Sequence, residues 1–192
     1  MSDHDDILKS LFTTSTDTVF VDVLRREVWI DGDIEDHAAR DVIRAVNYFK
    51  ALNTSSIDVC INTNGGSLSE GLAIADYFRL MSSQGFVIST RVLGVAYSAG
   101  ALIASSGTPG HRYALPSSRY LIHQLSASGV DGKMEELQSD IKNLRAMNEQ
   151  MARMIAAVTD KTLAAVQKDL KKESFMSVDE AIKYGLVDHV IT

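Results

Sequence analysis

Ser98 is the first of three positions in this 192-residue sequence whose residue types suit nucleophilic chemistry. It lies in the small-residue segment Gly94–Ala101, directly after a run rich in β-branched residues. A serine at a strand-to-helix junction presents its hydroxyl at the carboxyl edge of a sheet, and the helix N-terminus supplies N–H groups for a developing oxyanion. A serine that only caps a helix fits the same pattern equally well.

The second position is the glycine pair Gly65 and Gly66, which follows an apolar strand and precedes a helix. Paired glycines let the backbone approach a bound peptide closely, or point an amide N–H inward as one half of an oxyanion hole. The spacing matches neither Gly-x-Gly-x-x-Gly nor the eight-residue phosphate-binding loop, which argues against a nucleotide site. A plain turn is the alternative.

The third position is His123, at the end of the apolar run 120–122. A histidine there can serve as a general base, although a lone histidine in such a place is more often structural. The other four histidines lie in polar contexts without the i, i+4 pairing of zinc ligands, so no metal site is predicted: His4, His37, His111 and His189. The single cysteine, Cys60, lies in an apolar run and is predicted to be a buried structural thiol.

The elements that would position these residues follow from hydrophobic periodicity. The predicted strands are 19–24, 27–30, 57–61, 86–93, 120–122 and 186–191. The predicted helices are one capped by Asp36 and ending near Ala51, then 67–82, 98–105, 131–158, 163–170 and 178–184. Because strands and helices alternate, we expect an α/β fold of parallel, right-handed crossover units.

The longest predicted helix, 131–158, carries an apolar seam of about 3.5 residues per repeat, interrupted by Asn148. The seam consists of Met134, Leu137, Ile141, Leu144, Met151, Ile155 and Val158. Since the helix is about twice the mean length in globular proteins, part of it should project from the domain. A projecting seam would need a partner subunit to bury it, whereas a long helix that only covers the core is the alternative.

The composition limits the classes of function. An apolar content of 45% is enough for one core in a chain of this length. Acidic residues outnumber basic ones by 25 to 19, for a net charge of -6, which makes nucleic acid and anionic membranes poor partners.

Residues 1–17 are polar and are predicted to form a mobile arm with a short apolar hook. Their acidic start is the reverse of a secretory signal, so a cytoplasmic location is expected.

Several blocks between about residues 18 and 191 resemble, in order and spacing, the proteolytic subunit of the Clp protease (ClpP) family. The blocks are 24–37, Ile61–Gly71, Gly94–Ala101, Arg112–Arg119, Ile122–Gln124 and Phe175–Asp188. The resemblance implies a crotonase-like α/β fold of repeated strand-helix crossover units with a long projecting handle helix. The arm 1–17 would precede one peptidase domain, 18–192, with a head (about 18–122 and 175–192) and a handle (about 123–174).

The same resemblance implies a serine endopeptidase that hydrolyses unfolded polypeptides. Ser98 would attack the peptide carbonyl, His123 would take its proton and return it to the leaving amine, and the amides of Gly66 and Ala99 would hold the oxyanion. The third residue of the family is an aspartate, but Glu173 stands in that place here. Asp169, one helical turn earlier, is the reserve candidate.

For assembly, the resemblance implies homo-oligomeric rings of seven subunits stacked as a tetradecamer, fed by a separate AAA+ unfoldase. No cofactor is expected in this chain, and ATP would be used by the partner. The sequence departs from the family at ring contacts, with Leu125 for a proline, Ser126–Gly129 for a glycine-rich strand and Lys172 for an arginine. Two other classes stay open: an inactive ring subunit that modulates an active paralogue, and a crotonase-type acyl-CoA enzyme.

Overall fold

The structure, a computed structural model, describes residues 18–125 and 133–192. Its strands are β1 (Val19–Asp22), β2 (Glu27–Asp31), β3 (Ile57–Thr63), β4 (Ile88–Tyr97), β5 (Arg112–Ala114), β6 (Arg119–Ile122), β7 (Ser174–Ser177) and β8 (His189–Val190). Its helices are α1 (Ala38–Leu52), α2 (Leu68–Ser83), α3 (Ala99–Ser105), α4 (Met134–Val158), α5 (Leu163–Leu170) and α6 (Val178–Tyr184). The predicted arm 1–17 and the altered segment 126–129 lie outside the described residues.

One eight-stranded sheet forms the centre of the molecule. Its main path runs β1-β2-β3-β4-β5-β8, and β6 and β7 branch from this path at β4. The pairs β1-β2 and β6-β7 are antiparallel, whereas the other five pairings are parallel. Parallel strands linked through helices are the predicted architecture, so the predicted α/β fold class is confirmed.

The helices pack through apolar faces. The buried apolar residues of α1 share one face of the helix: Ala38, Ala39, Val42, Ala45, Val46 and Phe49. In α4, by contrast, the buried residues are Met151, Ala152, Met154 and Ile155, all in its second half. Met134 keeps 70% of its surface exposed and Ile141 keeps 45%. The first half of α4 therefore projects from the core, as predicted.

Strand β4 changes neighbours along its length. Its first half pairs with β5 and its second half pairs with β6 on the same edge. Between the two halves the register against β3 shifts, since Ile61 lies opposite Val92 but Thr63 lies opposite Ala96. Such a bulge bends a strand and increases its twist. The bend turns the end of β4 towards β6.

The side chain of Asn62 fills the gap that the bulge leaves. Its Oδ1 accepts a hydrogen bond from the Val95 N–H at 3.1 Å, and its Nδ2 donates to Asp31 Oδ1 at 2.9 Å. A Cβ atom at Gly94 would lie only 2.4 Å from Asn62 Oδ1, so the bulge requires glycine there. One amide thus joins the ends of β2, β3 and β4.

The link between β5 and β6 closes back onto β4. The carbonyl oxygen of Val92 accepts hydrogen bonds from the N–H of Leu115 and from the hydroxyl of Ser118, both at 2.9 Å. Both ends of a four-residue link are therefore held at one point of β4.

The structure corrects some predicted boundaries. Asp36 does not cap α1: the N-cap residue is His37, in a left-handed conformation with φ 79° and without a side-chain capping bond. The N-terminus of α1 is instead satisfied from α2, since Glu70 Oε2 accepts from the Ala39 N–H at 2.8 Å. Strand β4 runs four residues farther than predicted, and the short strands β5 and β7 were not predicted.

Candidate active site

Ser98 lies on the turn between β4 and α3, in an unusual backbone conformation with φ 55° and ψ -120°. A positive φ is strained for a residue with a Cβ atom and persists only where the surroundings hold it. Here the Ser98 N–H donates to the Leu121 carbonyl at 2.8 Å, and its own carbonyl accepts from Ala101 and Leu102. The Ser98 side chain makes no capping hydrogen bond, so the helix-cap alternative does not account for this serine.

The glycine pair packs directly against this turn. A Cβ atom at Gly65 would lie 2.7 Å from Ser98 Cβ and 2.8 Å from the Tyr97 carbonyl oxygen. A Cβ atom at Gly66, where φ is 140°, would lie 2.3 Å from the Ile34 carbonyl oxygen. Two backbone hydrogen bonds hold this loop against Ile34. The Ile34 N–H donates to the Gly65 carbonyl, and the Ser67 N–H donates to the Ile34 carbonyl, both at 2.7 Å. Only glycine fits this close approach, so a plain turn does not explain the pair.

Two amide groups beside Ser98 are free to donate. The N–H of Gly66 has no acceptor among the residues that the structure describes. Ala99 is the first residue of α3, so its N–H has no intrahelical acceptor. The Cβ position of Gly65 lies 3.3 Å from the Ala99 nitrogen, which places the glycine loop next to this amide. The two predicted oxyanion donors therefore lie on adjoining stretches of backbone.

His123 directly follows β6, and the pairing of β6 with β4 brings it to the same end of the sheet as Ser98. Tyr97 lies opposite Leu121 in the parallel register, so the next residues of both strands leave the sheet together. In the antiparallel pairing of β6 with β7, Ile122 lies opposite Ser174. One further step of that register sets Glu173 against His123. The backbone thus gathers the three predicted catalytic positions at one edge.

The side chains of these residues are not joined in this conformation. Within 18–125 and 133–192, neither Ser98 Oγ nor the Glu173 carboxylate makes a hydrogen bond or an ion pair with His123. Glu173 is exposed and has a left-handed backbone with φ 52°. The strand pairing therefore brings the three residues to one end of the sheet. Their side chains have to rotate before hydrogen bonds can form among them.

Asp169, the reserve candidate, is engaged elsewhere. Its Oδ2 accepts a hydrogen bond from the Tyr184 hydroxyl at 3.0 Å, and its backbone carbonyl accepts from Ser174 Oγ. Burial, followed by this hydrogen bond and the charge of Asp169, raises the pKa of Tyr184. Asp169 thus anchors α5 to α6, and its carboxylate is bound by Tyr184.

An aromatic contact that the sequence did not reveal crosses the site. The rings of Tyr97 on β4 and Phe175 on β7 meet edge to face, with centroids 5.9 Å apart and planes at 87°. The pair bridges the two strands that precede Ser98 and follow Glu173, across β6. Only the pairing of the unpredicted strand β7 could have indicated this contact.

Two other kinds of feature, a metal cluster and a membrane-spanning helix, are absent from the described residues. In the described ranges there is no cluster of three or more His, Cys, Asp or Glu side chains that could hold a metal ion. None of the described helices is both long and apolar enough to cross a bilayer.

Comparison with known proteins agrees with this geometry. A model of the Clp protease family matches residues 13–192. The ATP-dependent Clp protease proteolytic subunit of Leuconostoc citreum (strain KM20) is 32% identical over 169 residues, which are 87% of this chain and 83% of that protein. The predicted resemblance and the predicted serine-type endopeptidase class are confirmed, and the inactive-subunit alternative is not favoured. The chain belongs to the Clp protease family.

Proposed function

We propose that this chain is the proteolytic subunit of an ATP-dependent Clp protease, with Ser98, His123 and Glu173 as its catalytic residues. The observation that carries the assignment is the turn at Ser98, whose positive φ is held against the Gly65-Gly66 loop. That turn lies beside two amides that have no acceptor among the described residues. An ordinary helix cap or loop requires neither feature.

In the reaction, Ser98 Oγ attacks the peptide carbonyl while His123 accepts its proton. The negative charge that develops on the carbonyl oxygen is stabilised by the N–H groups of Gly66 and Ala99. His123 then donates the proton to the leaving amine. Water, deprotonated by His123, finally hydrolyses the acyl-enzyme.

Glu173 takes the role of orienting the imidazole. The register of β6 and β7 supports Glu173, since it places this residue opposite His123, whereas the Asp169 carboxylate is bound by Tyr184. Glutamate has one methylene more than the aspartate of the family, so its side chain requires a different path to the imidazole. The exposure and the left-handed backbone of Glu173 leave room for such a path.

The substrates in this proposal are unfolded polypeptides that a separate AAA+ ATPase delivers in the cytoplasm. The chain itself carries no sequence motif for nucleotide and needs no cofactor, and the relative in Leuconostoc citreum is named as ATP-dependent. The head would hold the nucleophile and the handle would form the contacts between rings of seven, stacked in pairs. The exposed apolar side chains of Met134 and Ile141 support a role for α4 in assembly.

A serine-directed probe tests the proposal. Wild-type protein should react with a fluorophosphonate at Ser98 and cleave fluorogenic peptides, whereas Ser98→Ala should lose both activities, by a factor of about 10⁶ in kcat for a serine hydrolase nucleophile. Ser117→Ala, which changes an exposed serine in the β5-β6 link, is the control and should keep both. Unchanged hydrolysis by Ser98→Ala would show that the assignment is wrong. Failure of the probe to label the assembled wild-type particle would favour the inactive-subunit alternative.

A further inference from the structure

A polar cleft lies beside His123, between α4, α5 and the segment that follows β6. Its volume is about 400 Å³, which is in the range of about 300 to 1,000 Å³ typical of ligand pockets. Apart from Leu170, its lining side chains are polar or charged: Gln124, Arg145, Asn148, Glu149, Gln167 and Lys171. The cleft is therefore suited to a polar or charged group.

The cleft adjoins the candidate catalytic residues on two sides. Gln124 directly follows His123, and its N–H donates to the Leu170 carbonyl at 3.0 Å. The N–H of the next residue, Leu125, donates to Asn148 Oδ1 at 2.8 Å. These two bonds fix the wall of the cleft to α5 and α4. Lys171, which also lines the cleft, precedes Glu173 by two residues.

The charge of the cleft is positive, although the whole chain has a net charge of -6. Arg145 and Lys171 form no ion pair with any residue of the described ranges. Glu149, the one acidic residue of the lining, is paired with Arg153. Two unpaired cations therefore face the same cleft, together with the side-chain amides of Gln124 and Gln167.

We propose that this cleft is a substrate subsite that binds an acidic side chain, Asp or Glu, near the scissile bond of the polypeptide. A carboxylate only accepts hydrogen bonds, and it matches a guanidinium, an ammonium and amide N–H donors better than its neutral amide analogue does. The inference deepens the proposed function and rests on it. It assigns Arg145 and Lys171 as specificity-determining residues.

The test uses internally quenched peptides, blocked at both ends so that no terminal carboxylate is present. The peptides share one sequence and carry Glu, Gln or Lys at single positions on either side of the cleaved bond. Wild-type protein should cleave the Glu peptide at one such position with a kcat/KM about five to ten times that of the Gln peptide, the gain expected from a charge-assisted contact. The Lys peptide should be the poorest, and added salt should reduce the preference.

Three variants complete the design. Arg145→Gln combined with Lys171→Gln should remove the preference for Glu, and Arg145→Glu combined with Lys171→Glu should reverse it in favour of Lys. Lys142→Gln is the matched control, because it removes a cation from the same helix without altering the cleft lining. A reversed preference is a result that simple loss of stability would not produce.

The outcomes separate this inference from the proposed function. Fluorophosphonate labelling of Ser98 tests the catalytic residues without an acidic side chain in the cleft, and its rate should be equal in wild type and in the Lys142→Gln control. Labelled wild-type protein that cleaves Glu and Gln peptides equally at every position overturns the acidic subsite. A charge reversal that changes particle mass but leaves the preference intact also overturns it, and would assign the cleft to a subunit contact. Absence of labelling in wild type overturns both proposals.

Discussion

The proposed nucleophile and the proposed base are held in different ways. Ser98 and the two candidate oxyanion donors lie where β3, β4 and α3 meet, and all seven residues of α3 are buried. His123 and Glu173, by contrast, follow and precede strands of four residues each, and their side chains form no hydrogen bond or ion pair with each other. The backbone of the core therefore positions Ser98, whereas the positions of His123 and Glu173 depend on the short strands β6 and β7.

This difference predicts where the molecule opens first. Local unfolding occurs most easily where few apolar side chains are buried. The first half of α4 contributes no buried residue, while Phe49 and Phe78 are fully buried in the core. We therefore expect the region around Ser98 to resist local unfolding and the region around His123 and Glu173 to rearrange more readily. The following substitutions test that contrast, beginning with the largest expected effect.

Removal of the carboxylate that is proposed to orient His123 should lower activity the most. We expect Glu173→Ala to lower kcat by about 10³ to 10⁴, as loss of a triad carboxylate does in serine proteases. Asp169→Ala should stay within about twofold in kcat, because Asp169 contacts Tyr184 and acts on stability. Peptide hydrolysis on folded protein measures both. The reverse order of effects would assign the triad to Asp169.

A methyl group at Gly66 should have the next largest effect. In Gly66→Ala the new Cβ would meet the Ile34 carbonyl oxygen at 2.3 Å and force the loop away from Ser98. We expect kcat/KM to fall by about 10² to 10³, the usual cost of one oxyanion donor.

Gly85→Ala is the matched control for this substitution. Gly85 also has a positive φ, of 86°, but nothing lies within 4 Å of its Cβ position. The control should lose about 1 to 2 kcal/mol of stability through backbone strain, without a change in kcat/KM. Wild-type activity in Gly66→Ala would show that this amide has no role in catalysis.

Loss of the amide that fills the β4 bulge should have a moderate effect. Asn62→Ala removes its hydrogen bonds to Val95 and Asp31, and we expect about tenfold lower activity, since small displacements of a reacting group are costly. Asn47→Ala removes the hydrogen bond from the Tyr77 hydroxyl, far from the site in sequence, and should lower only stability, by about 1 kcal/mol. Thermal unfolding and peptide hydrolysis, measured in parallel, distinguish the two. Equal loss of activity in both variants would contradict a specific role for Asn62.

The smallest expected effect concerns Cys60, whose reactivity reports whether the core around it stays folded. The thiol is 3% exposed, and burial, with the nearby charge of Glu27 as a second cause, raises its pKa to about 12. At pH 8 only about one thiol in ten thousand is then ionised, and the thiolate is the reactive form. Trypsin cleavage in the first half of α4 should therefore leave Cys60 unreactive towards a thiol reagent. Labelling that accompanies this cleavage would show that the core around Cys60 unfolds together with the first half of α4.

The sequence was sufficient for elements with strong local signals. Helices α5 and α6 have the predicted bounds, because Thr162 and Ser177 cap them and Gly185 ends α6 in a left-handed conformation. Strands β5 and β7 are three and four residues long, too short for periodicity to indicate them. The cap of α1 could not be predicted either, since its acceptor, Glu70, lies 31 residues away in sequence.

In the candidate site, too, some features could be predicted from the sequence and others could not. Motif and resemblance predicted the site residues Ser98, His123, Gly66, Ala99 and Glu173. The positive φ of Ser98 and the bulge closed by Asn62 depend on the register of strands about 30 residues apart, which no local pattern specifies. The choice of Glu173 over Asp169 as the third catalytic residue stays a prediction, which the Glu173→Ala and Asp169→Ala substitutions test.

The two hydrogen bonds to Val92 have a consequence for engineering of the chain. Since Leu115 and Ser118 both end on that one carbonyl, an inserted residue between them would slide β6 along β4 and carry His123 away from Ser98. Gly85 and Gly110 face open space instead. A reporter peptide or affinity tag belongs at one of these two turns, and the link between β5 and β6 has to keep its natural length.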